Sequence, residues 1–78
     1  MPRYYFNIRD KIRLEQDVEG ADLPNLDDAR QEAIMAAREI LADRLLRGEV
    51  LGDDVFEITG DDGAVLETVP LRIALIGV

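Results

Sequence analysis

Leu23-Pro24-Asn25-Leu26-Asp27-Asp28 opens, and Arg44-Leu45-Leu46-Arg47-Gly48 closes, the one long stretch of this chain with a helical period. At about 100° per residue, Leu26, Ala33, Ala37, Ile40 and Leu41 fall on one stripe. Ala29 and Ala36 extend it on one flank, Ile34 and Leu45 on the other. Asn25 is a good N-cap, and Asp27 and Asp28 put negative charge on the first turn, where the helix dipole favours it. Pro24 stands just outside, where its missing N–H does no harm. Arg44 and Arg47 complement the other end, and Gly48 suits the left-handed position after the last turn. The stretch predicts an amphipathic helix of about six turns whose alanines let it lie close against a sheet.

On its N-terminal side, Pro2 to Arg9 alternates. Tyr4, Phe6 and Ile8 point one way, and Arg3, Tyr5, Asn7 and Arg9 the other, as in a half-buried strand. Ile12 to Glu15 alternates likewise, so Asp10-Lys11 reads as a hairpin turn, and polar Gln16 to Ala21 as a loop. After a second polar loop, Glu49 to Asp54, the runs Val55–Thr59 and Ala64–Val69 flank Gly60-Asp61-Asp62-Gly63, a strong hairpin signal. Pro70 ends the last strand, because it has no N–H for a ladder. The apolar tail Leu71 to Val78 is open to three fates: a short final turn, an edge extension, or a contact with another chain. The expected architecture is α+β: one domain over residues 1–78, in β-β-α-β-β order, with one helix on one face of a mostly antiparallel sheet. The opposite sheet face, with Arg3, Tyr5, Arg13 and Glu57, is expected to be polar.

Composition narrows the function. The chain has neither cysteine nor histidine, which removes disulfides, thiolate chemistry, the commonest general base and the commonest metal ligand. Serine is absent and lysine occurs once, at Lys11, so no catalytic residue and no cofactor is expected, and an enzyme is disfavoured. The pairs Asp27-Asp28, Asp53-Asp54 and Asp61-Asp62 lack the ligand spacing of a calcium loop and read as cap, solvated loop and turn. No charged-then-apolar leader opens the sequence and no apolar run approaches a membrane span, so a soluble cytoplasmic protein is expected.

The formal net charge of −8 argues against general nucleic-acid binding and favours a basic protein partner. The charge is uneven. Arg3, Arg9, Lys11 and Arg13 precede all but one of the acidic residues, which makes the first hairpin, with Tyr5, Arg9 and Arg13 facing outward, the alternative site for single-stranded nucleic acid. On the helix, Met35, Ala42 and Leu46 line up opposite the core stripe. Together with the tail residues Leu71 and Ile73 they form the other candidate contact, for a second copy of the chain or another protein.

Met1-Pro2-Arg3-Tyr4-Tyr5-Phe6-Asn7-Ile8-Arg9-Asp10, Asp17-Val18-Glu19-Gly20, Leu23-Pro24-Asn25-Leu26-Asp27-Asp28-Ala29 and Asp61-Asp62-Gly63 resemble, in order and spacing, a family of short uncharacterised bacterial proteins. The resemblance spans nearly the whole chain and implies a compact stand-alone domain, without implying an activity. The chain departs from it at Asp10-Lys11, where members carry a glycine-containing turn. An aromatic hairpin, then Leu23-Pro24, then an acidic cap opening an Ala- and Glu-rich helix, is also similar to HicB-type antitoxins. That likeness implies an acidic domain that masks a small basic toxin, although the cysteine-containing loop and the DNA-binding segment of such proteins are missing here. The leading expectation is a non-enzymatic interaction or regulatory domain, self-associating or antitoxin-like.

Overall fold

Among the described residues five strands, one long helix and a 3-10 turn follow one another: β1 (Arg3–Arg9), β2 (Leu14–Glu15), β3 (Ala21–Asp22), α1 (Leu26–Leu46), β4 (Val55–Thr59), β5 (Val65–Pro70) and the turn Leu71–Leu75. The computed structural model describes residues 1–49 and 52–75. Val50 and Leu51 of the loop after α1, and residues 76–78 of the apolar tail, therefore lie outside the described residues. Every strand pairing is antiparallel, in the order β2-β1-β4-β5, with β3 also on β1. One helix covers one face of this sheet, the expected α+β arrangement with one strand more.

Register places the core. Phe6 stands opposite Ile58 and Ile8 opposite Phe56, while Val69 of β5 faces Phe56. Because side chains alternate across a strand, these residues share the inner face with Tyr4. The Phe6 and Phe56 rings meet edge to face at 6.3 Å. Onto this bulky surface α1 lays Ala29, Ala33, Ala37 and Leu41, all buried. The cap is as expected: the Asn25 side-chain oxygen accepts from Asp28 N–H at 2.9 Å. At the far end Gly48 takes a φ of 73°, a left-handed position that costs glycine little.

The alanine stripe fixes the helix-to-sheet distance, since Ala33 and Ala37 are fully enclosed. Ala37→Leu is expected to overfill the layer and destabilise the domain by about 1–3 kcal/mol. A shift of the urea midpoint at unchanged m-value is the check.

Four expectations need correction. The second strand does not begin at Ile12: Asp10 Oδ1 accepts from Ile12 N–H and Arg13 N–H at 2.7 and 2.8 Å, and Asp10 N–H donates to Arg13 O. These bonds use up the backbone groups a ladder would need, so Asp10 to Arg13 is the turn and only Leu14–Glu15 pairs. The same two N–H groups hold the Asp10 carboxyl below its ordinary pKa. Next, the loop expected from Gln16 to Ala21 contains the start of β3, which pairs Ala21 with Tyr4 and Asp22 with Arg3. Third, Leu45 is exposed instead of flanking the core. Finally, Leu71 is 1% exposed: the tail turns back under α1 and Leu71 becomes part of the core, so it offers no outward contact. Leu71 N–H donates to Asp54 O at 3.0 Å, which pins the entry to that turn.

Candidate interaction surfaces

On the sheet face away from α1, Tyr5, Asn7, Arg9, Glu57 and Thr59 line an open concavity of about 400 Å³, rimmed by the Gln16–Val18 loop and the β4–β5 turn. Its chemistry is largely self-satisfied. Arg9 Nε donates to Glu57 Oε2 at 2.6 Å, and Asn7 Oδ1 accepts from Asp17 N–H at 2.9 Å. Asp17 is the organising residue: one carboxylate oxygen accepts from Phe6 N–H, the other from Glu19 N–H and Gly20 N–H. Between the short pairings of β2 and β3, a side chain thus supplies the acceptor that the interrupted edge strand does not.

Of the three first-hairpin candidates, the structure brings Tyr5 and Arg9 into this concavity and leaves Arg13 apart, in the turn. The three arginines of the first hairpin are matched. Arg3 forks onto Asp22 at 3.0 and 3.2 Å, Arg9 meets Glu57, and Arg13 approaches Asp10 at 3.8 Å.

The opposite side of the molecule differs. Met35, Ala42 and Leu46 all face solvent from α1, Leu46 at 89% exposure. Beside them runs an apolar groove of about 240 Å³, walled by Leu41 and Ala42 of α1 and by Ala74 and Leu75 of the 3-10 turn, with Arg38 and Leu45 at its rim. Leu45 and Leu75 are more than half exposed, while Ile73 is only marginally so. Among the described residues Arg38 is the one arginine with no carboxylate within ion-pair distance. Arg30, by contrast, bridges Asp27 and Glu67, and Arg44 meets Asp54 at 3.0 Å. Of the sequence candidates, then, Met35 and Leu46 belong to this face. Sequence reading missed the groove itself, including Arg38, Ala74 and Leu75.

The acidic pairs have structural partners. Asp27 takes Arg30, Asp54 takes Arg44, Asp53 lies 3.5 Å from Arg72, and Asp62 Oδ1 accepts from Ala64 N–H in the β4–β5 turn. Among the described residues no three acidic side chains converge on a point where a cation could sit, and no helix is long and apolar enough to cross a membrane.

The family model described as "Domain of unknown function (DUF6894)" matches residues 3–72, and the chain belongs to that family. No curated protein and no solved structure matches the chain, so the likeness to HicB-type antitoxins is not shown.

Proposed function

We propose that this member of a family of unknown function is a non-enzymatic protein-interaction or regulatory domain, which works by holding another protein chain. The observation that carries the reading is the apolar face formed by Leu45, Leu46, Leu75 and the groove beside Ala42. Single exposed leucines are ordinary, but several on one face beside an apolar groove are a recognised mark of a contact surface. The absence of serine, cysteine and histidine supports the non-enzymatic half of the reading.

A basic partner, held as an antitoxin holds its toxin in the cytoplasm, draws support from the net charge of −8. The nucleic-acid alternative draws less, because Arg3, Arg9 and Arg13 already meet carboxylates. A tagged chain is expected to retain a partner chain, its own copy or a different protein. The double variant Met35→Glu/Leu46→Glu should lose that partner at unchanged helicity by circular dichroism. Retention of the same partner by the double variant would overturn the reading.

A further inference from the structure

We infer that the occupant of the α1 groove is a second copy of this chain, with the two α1 helices packed antiparallel and crossing at Ala42. The inference rests on the interaction reading above and names the partner.

A two-fold interface must be self-complementary, so one face must carry both a protrusion and the recess that takes it. This face does. Leu46 projects fully into solvent one turn C-terminal of Ala42, and Arg38 marks the groove one turn N-terminal of it. In an antiparallel pair centred on Ala42, equal offsets on opposite sides of the crossing meet. Each Leu46 therefore stands at the level of the other chain's Arg38, at the mouth of its groove. Ala42 is small and exposed, which lets the two backbones approach where they cross.

Charge leaves one flank of α1 open to a second copy. In a chain carrying 17 acidic residues, two copies repel each other over most of their surface. The groove side is the exception. On the groove flank Gln31, Ile34, Arg38, Leu41 and Leu45 include no acid, and neither does any position from Thr68 to Leu75, whereas the exposed Glu39 and Asp43 stand on the other flank of the Met35–Ala42–Leu46 line. The unpaired Arg38 also counts locally against a basic partner. Against a second α1 it would lie beside the last helical turn, the negative end of the helix dipole.

Area is sufficient. The exposed parts of Met35, Leu45, Leu46 and Leu75 amount to on the order of 500 Å² per chain, so two copies cover about 1,000 Å², where specific interfaces begin. Burial on that scale, with no large ion-pair network, points to a modest association that depends on concentration.

The natural absence of cysteine makes the test clean. By light scattering across a concentration series, the wild-type chain is expected to move from its monomer mass of 8.7 kDa towards twice that value. Leu46→Glu, at a site with nothing buried to disturb, should weaken the association by at least about tenfold. Ala42→Cys should form a disulfide-linked dimer under mild oxidation, since a residue at the crossing meets its own copy. Val18→Cys, also exposed but on the far loop, should not. A chain that stays monomeric at every concentration overturns the inference and leaves a different protein as the partner. A dimer that cross-links through Val18→Cys but not Ala42→Cys overturns the proposed face while self-association stands.

Discussion

Leu71→Ala is expected to cost about 2–5 kcal/mol, whereas Leu46→Ala in the monomer stays within about 0.5 kcal/mol. Both are leucines in apolar stretches, and only their surroundings differ. Leu71 is 1% exposed and Leu46 89%. Leu71 is one of the two largest wholly enclosed side chains, the other being Ile58 in the central strand β4. It sits where β5 ends and the 3-10 turn folds back under α1, and Ala74 follows it into the core. Truncation leaves a cavity that the turn, tied by Leu71 N–H to Asp54 O, is poorly placed to fill by moving. For a domain of this size, total stability is of the order of 5–10 kcal/mol, so the loss is a large fraction of the whole. In thermal unfolding each kcal/mol should lower Tm by about 4–8 °C. A Leu71→Ala protein that melts with the wild type would show that the turn is peripheral and that the core ends at β5.

The contrast shows which parts of the fold were legible in the sequence. α1 was readable almost residue by residue, because its cap, charge gradient and alanine stripe are local features that agree with one another. β1 and β4 were readable from their alternation, and the β4–β5 turn from Gly63, which takes a φ of 81°. The beginning of β2 was not. Ile12 fits an alternating pattern, but the Asp10 side chain captured its backbone, and pattern reading does not weigh that competition. β3 was missed because two residues are too few to carry a period, and its pairing is set by the loop before it. The fate of Leu71 depended on where the chain turned after Pro70, a tertiary fact that an apolar run leaves open.

The groove was half legible. Met35 and Leu46 are visible on the outer line, but the helical period puts Leu45 on the core flank, since it does not show where the sheet beneath the helix ends. Arg38 did carry a readable signal. Arg30 has an acid three residues before it and Arg47 one four residues before it, as their ion pairs show. Arg38 has Ile34, Met35, Leu41 and Ala42 at those spacings. An arginine with only apolar neighbours at those spacings stands out in so acidic a chain, and among the described residues it is the one without a carboxylate partner.

Gly20→Ala is the second large effect, expected at about 2–4 kcal/mol from backbone strain together with overpacking. Gly20 has a φ of 71°, in the left-handed region that alanine enters only at a cost. A methyl group built there would come within 2.9 Å of the Tyr4 carbonyl oxygen and of Tyr5 Cε1. The ring could swing aside, but the carbonyl belongs to the β1 backbone, which pairs with β3 at that residue. The Gly20 N–H is also one of the three groups gathered by the Asp17 carboxylate. Displacing the loop therefore loosens the acceptor that completes the edge at Phe6. Gly48→Ala makes the informative control, because Gly48 has a similar φ of 73° but nothing within 4 Å of the added carbon. It should show the backbone strain alone, about 1–2 kcal/mol. If the two variants lose equal stability in urea, the close approach of β1 to the Asp17–Gly20 loop contributes nothing. A clearly larger loss at Gly20 means that the contact fixes where the edge strand breaks, and with it the position of Tyr5 on the outer face.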